Sequence, residues 1–194
     1  MKRVAVFASG SGSNAQNLIQ YFHLDHPEKE VKISLIIANR PTAYVLERAR
    51  LLGVPSLVFN REEFYPSHSY PLLSALTAHE IDYIVLAGFL WLIPRYLIDA
   101  YPQRIVNIHP ALLPAYGGKG MYGMHVHRAV IAGGESESGI TIHLVDSRYD
   151  HGDTLFQVRC RVEAGETPES LAEKIHLLEQ EHFPKVIERW LIRS

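Results

Sequence analysis

Apolar residues along this chain fall at two spacings, and their order outlines a fold. Lys2 to Ala8 is a nearly continuous apolar run closed by Ser9-Gly-Ser-Gly-Ser-Asn14, after which Leu18, Ile19 and Phe22 recur at helical spacing. That pattern predicts a strand, a glycine loop and a helix. Val31 to Ala38 repeats the strand pattern, and residues 43–52 read as a helix stopped by Gly53 and Pro55. Residues 56–59 predict a short third strand. Residues 69–80 predict a helix with Pro71 in its first turn, where a missing N–H costs nothing. Tyr83 to Ala87 and Arg104 to Ile108 are two more buried strands on either side of a short helix at 94–100.

After residue 138 the pattern changes. Gly139 to Val145 and Thr154 to Val162 are strands joined by few residues, so they can pair antiparallel and extend or edge the sheet. A final helix runs from about Pro168 to Leu191, with Thr167 as N-cap and Leu171, Ile175, Leu178 and Ile187 on one face. Strands alternating with helices imply right-handed crossovers. The fold class is therefore α/β: a Rossmann-like, mostly parallel sheet with helices on both faces and an antiparallel C-terminal strand pair. Residues 1–194 read as a single domain, without repeats, linkers or low-complexity tracts.

Composition narrows the function classes. Hydrophobic residues at 47% and charged residues at 21% are ordinary for a folded domain, which argues against disorder. Lys+Arg 19 against Asp+Glu 21 leaves no basic excess for a nucleic-acid backbone. No apolar run reaches membrane-spanning length and the chain opens directly into a strand pattern, so the expectation is a cytoplasmic protein without a membrane partner. The single Cys160 excludes an internal disulfide and, within an alternating strand, reads as a small core residue.

In an open parallel sheet, ligands gather beyond the carboxyl ends of the strands. Three polar clusters sit there. The first, Ser9 to Asn14, sets two glycines before a helix N-terminus, where N–H groups and the helix dipole favour an anion. It lacks the Lys of a Walker A loop and the third Gly of a dinucleotide fingerprint, so one phosphate monoester fits better. A tight turn capped by Ser or Asn is the bland alternative. The second is Asn107-Ile-His109-Pro110, where period-two alternation puts Asn107 and His109 on one strand face. A structural hydrogen-bonding histidine remains open at this point. The third, Asp146 to Asp153, offers carboxylates and a His that a solvated turn would also contain. His125-x-His127 resembles a metal-ligand pair, but nothing completes a zinc set, and no metal is expected. His143, His176 and His182 stand on predicted elements as structural residues.

The loop Ser9-Gly-Ser-Gly-Ser-Asn14, the segment Leu86-Ala-Gly-Phe-Leu90, the motif Asn107-Ile-His-Pro-Ala-Leu-Leu-Pro114 and the pair His143 and Asp150 occur in one order. Together they closely resemble the phosphoribosylglycinamide formyltransferase family, the folate-dependent glycinamide ribonucleotide transformylases. The resemblance spans essentially the whole chain. It implies the formyltransferase fold and transfer of the formyl group of 10-formyltetrahydrofolate to the amine of glycinamide ribonucleotide in purine biosynthesis. Asn107, His109 and Asp150 would form the catalytic group. Gly12, Ser13 and Asn14 would meet the ribonucleotide phosphate, and Glu179 the ribose. Arg61, Leu90, Trp91, Leu92 and Asn107 would meet the folate, Arg61 at its glutamate tail. Trp91 departs from the arginine of some members. The oligomeric expectation is a monomer or homodimer.

The chemistry expected of that group is electrostatic. A useful fraction of the amine is already unprotonated at neutral pH, and Asn107 with a protonated His109 would stabilise the oxyanion, a role worth roughly 3 to 4 kcal/mol per good donor. Asp150 would favour the imidazolium and organise proton relay. Formyltetrahydrofolate hydrolase is one alternative, although its relatives carry an N-terminal regulatory domain; methionyl-tRNA formyltransferase, with its C-terminal tRNA-binding domain, is another. A non-catalytic nucleotide-binding protein of the same fold is the alternative from a different class. Two further expectations concern glycine. A β-branched side chain at Gly12 would obstruct phosphate, and the glycine-rich stretch Ala115 to Met124, longer than in several relatives, would form either a flap over the reacting centre or a disordered surface insertion with no further role.

Overall fold

The expected strands and all five expected helices are present in the computed structural model, which describes residues 1–193. Strand β1 (Lys2–Ala8) leads through the glycine loop into α1 (Ser13–Gln20), which continues as a π-helical turn over Tyr21–Asp25. Next come β2 (Val31–Ala38), α2 (Val45–Leu51), β3 (Ser56–Val58), α3 (Arg61–Phe64), α4 (Pro71–Ala78), β4 (Tyr83–Leu86) and α5 (Arg95–Ala100). The chain closes with β5 (Ile105–His109), α6 (Met124–Ala132), β6 (Glu137–Leu144), β7 (Thr154–Arg161) and α7 (Pro168–Arg193). The seven strands form one mixed sheet in the order β3-β2-β1-β4-β5-β6-β7. Contacts divide the chain into two compact units, Met1–Ile105 and Val106–Ser194. Among the described residues no helix is long and apolar enough to cross a membrane.

In the first unit β1 pairs parallel with β2 and β4, and β2 with β3. The strand order therefore reverses beside β1, which makes the ends of β1 and β4 the topological switch point where such sheets bind ligands. Both ends are tied together: Ser9 N–H donates to Gly88 O at 3.0 Å, and Leu90 N–H to Ser9 Oγ at 3.0 Å. The core beneath is aliphatic and aromatic, with Val4, Ala5, Val6, Phe7, Leu18, Leu35, Ile36 and Ile37 fully buried. These near-continuous apolar runs are what a strand covered on both faces requires.

In the second unit β6 runs antiparallel to both β5 and β7, so the antiparallel part of the sheet begins one strand earlier than the sequence pattern indicated. Thr167 caps α7, accepting the Ser170 N–H at 3.1 Å. Leu171, Ile175 and Ile187 are buried on its inner face as expected, while Leu178 is only half-buried. Two expectations need correction. Cys160 is half-buried on the outermost strand rather than in the core, and desolvation raises its thiol pKa. Residues 124–132, assigned no element from the sequence, form helix α6, which leaves His125 exposed and His127 buried, because residues two apart on a helix point to different sides.

Candidate active site

In the second unit the site begins with strand parity. Antiparallel pairing sets Asn107 opposite His143 and His109 opposite Thr141, which brings four polar side chains onto one face of β5 and β6. Thr141 braces the turn beyond β5: its hydroxyl donates to Ala111 O at 2.7 Å and accepts the Leu113 N–H at 3.0 Å. Asp150 reaches this face from the loop between β6 and β7. Its backbone lies in the left-handed region (φ 53), a conformation aspartate tolerates better than most residues. Two residues on, a β-carbon at Gly152 would sit 1.9 Å from Leu144 O, so only glycine lets the loop pass the end of β6.

Hydrogen bonds fix the network. Asn107 Nδ2 lies 3.1 Å from His143 Nε2 and donates to Asp150 Oδ1 at 3.3 Å. His143 Nδ1 is 2.7 Å from Leu144 O, an acceptor only, so the proton belongs on Nδ1 and Nε2 is left to accept from the amide. His109 Nε2 is 2.8 Å from Tyr116 O and by the same reasoning carries a proton there. Its Nδ1 lies 3.6 Å from Asp150 Oδ2, and Gly118 N–H donates to that oxygen at 2.9 Å.

Burial decides the charge states. His109 is only 3% exposed, and desolvation lowers its pKa despite the opposing attraction of Asp150. Burial therefore works against the expected imidazolium, while the Tyr116 carbonyl at Nε2 and the Asp150 carboxylate beside Nδ1 both favour it. For Asp150 burial pushes the pKa up, but the nearness of the His143 and His109 rings, each 3.6 Å from a carboxylate oxygen, and the Gly118 N–H together outweigh it and hold the carboxyl below its ordinary range. His127 is also lowered by burial, and Glu179 acts electrostatically on both His127 and His109. Glu179 lies 3.7 Å from His176 Nδ1 on the same helix and raises that pKa. His143, read from the sequence as structural, is thus part of the constellation. The signal that could have found it was Thr141 and His143 alternating inside an otherwise apolar strand.

In the first unit the loop after β1 has a directional build. Val45 N–H donates to Gly10 O at 3.1 Å and Arg48 Nε to Ser11 O at 2.8 Å, so both carbonyls face α2. In a trans peptide the following N–H points the opposite way, which turns the Ser11 and Gly12 amides away from α2. Gly12, not Ser or Asn, occupies the cap of α1, with φ 75 and no side-chain cap. A β-carbon there would lie 2.4 Å from Val45 Cγ2 and 2.8 Å from Val45 Cα, so glycine is required first of all by the approach of α2. Ser13 is half-buried and Asn14 buried at the start of α1. Arg61 opens α3 behind an Asn60–Glu63 capping box, its guanidinium 5.3 Å from the Tyr65 ring and 5.9 Å from the Trp91 ring. Leu90, Trp91 and Leu92 are half-buried beyond β4, and Leu92 O accepts the Tyr65 hydroxyl at 2.8 Å.

Fold and site together define an α/β protein with a switch-point loop suited to an anion in one unit and a buried imidazole–carboxylate–amide centre in the other. A sequence model of the formyl transferase family matches residues 2–187. The chain is 34% identical over 193 residues to the phosphoribosylglycinamide formyltransferase of Bacillus subtilis, covering 98% of this chain and 95% of that one. The chloroplastic phosphoribosylglycinamide formyltransferase of Arabidopsis thaliana is 43% identical over 93% of this chain, which spans 62% of the plant protein's length. Among solved structures, that of phosphoribosylglycinamide formyltransferase from Bacillus halodurans superposes with a TM-score of 0.87 at 34% identity, covering 98% of this chain and 95% of the other. The chain belongs to the formyl transferase family.

Proposed function

We propose that this chain, acting as one formyltransferase domain, transfers the formyl group of 10-formyltetrahydrofolate to the amine of glycinamide ribonucleotide. The observation that carries the reading is the Asn107–His109–Asp150 constellation in a chain of the formyl transferase family, with His143 orienting the Asn107 amide. The amine adds to the formyl carbon, the carbon–nitrogen bond to the folate breaks, and the amine's surplus proton passes to the departing nitrogen. Asn107 Nδ2–H, on releasing Asp150 Oδ1, and His109 Nε2–H, on exchanging the Tyr116 carbonyl for substrate, donate to the oxygen as it gains charge. A neutral imidazole suffices for this, since the donor proton is already on Nε2.

With its depressed pKa, Asp150 is a weak base. Its role is to hold the positive charge on the attacking nitrogen until that proton is relayed. Gly12, Ser13 and Asn14 take the ribonucleotide phosphate on backbone amides and Glu179 the ribose; Leu90, Trp91 and Leu92 border the pterin. Arg61, stacked on Trp91, meets the folate tail. Remote binding of phosphate and tail aligns the reacting atoms, the entropic part of the acceleration. The reading includes a cytoplasmic monomer or homodimer that works on two small molecules without a metal.

Absorbance of the deformylated folate, followed with and without glycinamide ribonucleotide, tests it. Release that depends on the ribonucleotide is expected. Equal release in its absence would make water the acceptor and overturn the reading.

A further inference from the structure

A cavity of about 390 Å³ opens in the first unit at the amino ends of the strands, lined by Arg3, His23, Lys32, Ser34 and His79 with apolar neighbours such as Val54. Arg3 and Lys32 are register partners on the parallel strands β1 and β2, so both side chains leave the sheet on one side. Two cations placed opposite each other destabilise a sheet unless something compensates them. Glu80, outside the lining, meets Arg3 at 2.7 Å. No ion pair engages Lys32 among the described residues, although its charge reaches His23. His23 Nε2 accepts the Ile33 N–H at 2.9 Å, which assigns the ring proton to Nδ1 and adds a neutral donor. No carboxylate lines the cavity. Three of the last four carbonyls of α4, which would repel an anion, are engaged: His79 N–H donates to Ala75 O, Glu80 N–H to Thr77 O and Ile81 N–H to Leu76 O.

We infer that this cavity is a second anion site, which takes the phosphate of a phosphate monoester on Lys32, Arg3 and His23. It stands at the opposite end of β1 from the Ser9–Asn14 loop, roughly 20 Å away at the rise of a strand. A volume of this size accommodates a sugar phosphate. The site is independent of the proposed transfer reaction, since none of its residues takes part in that chemistry.

The test is a titration of the whole chain with ribose 5-phosphate, and separately with inorganic phosphate, followed by amide nuclear magnetic resonance. Saturable shifts of the Ile33, Ser34 and Gly53 amides are expected, independent of any response from Gly10 to Ala15. Lys32→Met, an exposed position that keeps the aliphatic stem, should weaken binding at the Ile33 group about tenfold, while Lys32→Arg restores most of it. A response by inorganic phosphate alone reduces the ligand to the free anion and overturns the monoester assignment. Absence of shifts at Ile33 and Ser34, or shifts unchanged in Lys32→Met, overturns the site. A failure confined to Gly10 to Ala15 would instead count against the proposed ribonucleotide loop.

Discussion

His109 Nε2 and the carbonyl oxygen of Tyr116 stand 2.8 Å apart, and that contact decides which proton the imidazole carries. Nδ1 stands 3.6 Å from Asp150 Oδ2, and burial lowers the ring's pKa from the ordinary 6.5. Nuclear magnetic resonance of the histidines should show His109 titrating below 6.5 and, in Asp150→Asn, lower still, because Asp150 is the charge that partly counters burial. A titration above 6.5 would show that Asp150 outweighs burial. The sign for stability follows by linkage. The unfolded chain takes up the His109 proton first, so stability falls as pH drops from 6.5 toward the folded pKa. Asp150, with a depressed folded pKa, contributes stability above its ordinary 3.8 that is lost as pH falls below it. Chemical denaturation should therefore show two separate acid losses, the lower one missing in Asp150→Asn.

His109→Ala and Asp150→Asn should each lower kcat by roughly 10²- to 10⁴-fold while ribonucleotide affinity by calorimetry changes little, since both act mainly in the transition state. The double variant should cost much less than the product of the two, because one network holds both side chains. Affinity collapsing in step with kcat, or full multiplicativity, would contradict the assignment.

Glycine in the phosphate loop calls for two substitutions rather than one. Gly12→Val meets both the side chain and the Cα of Val45 and forces a left-handed backbone on a β-branched residue, which should cost roughly 3 kcal/mol of stability and confound any binding measurement. Gly10→Ala has nothing within 4 Å and no positive φ to strain it. It should leave the melting temperature within about 2 °C and raise the ribonucleotide KM several-fold, with folate affinity unchanged. An unchanged KM would remove Gly10 from the phosphate site.

Much of this site was legible in the sequence because strand parity is a local rule. Alternation alone put Asn107 and His109 on one face, and the apolar runs of β1, β2 and β4 marked their positions to within a residue or two. What failed depends on partners distant in sequence. His143 joins the site only through its antiparallel register with Asn107. The lowered pKa of His109 comes from burial, against the opposing pull of Asp150 and the Tyr116 carbonyl, and the demand for Gly12 comes from Val45 on another helix. Helix α6 was hidden because four glycines, Gly117, Gly118, Gly120 and Gly123, precede it and its first turn carries no side-chain cap.

The glycine-rich stretch divides into two parts with different expected roles. Tyr116 gives its carbonyl to His109, and its hydroxyl donates to Glu135 at 2.7 Å. Gly117 packs so closely that a β-carbon would lie 2.5 Å from Leu113 Cδ2 and 3.2 Å from Asp150 Cβ, and Gly118 N–H holds the Asp150 carboxylate. Residues 116–118 thus belong to the site itself. Deleting 117–123 should therefore lower both kcat and the melting temperature by releasing Asp150. Beyond them the Met121 N–H returns to Gly118 O at 3.1 Å, and Lys119, Gly120 and Tyr122 are exposed, with open space beside Gly120 and Gly123. A flap that excludes water can therefore be confined to residues 119–122. Excising those four while keeping Gly118 and Gly123 should leave the melting temperature within about 2 °C, raise the KM for formylfolate and increase the share of formyl groups lost to water. Unaltered kinetics and an unaltered ratio of transfer to hydrolysis would remove the flap and leave Tyr116 and Gly118 as the loop's whole contribution.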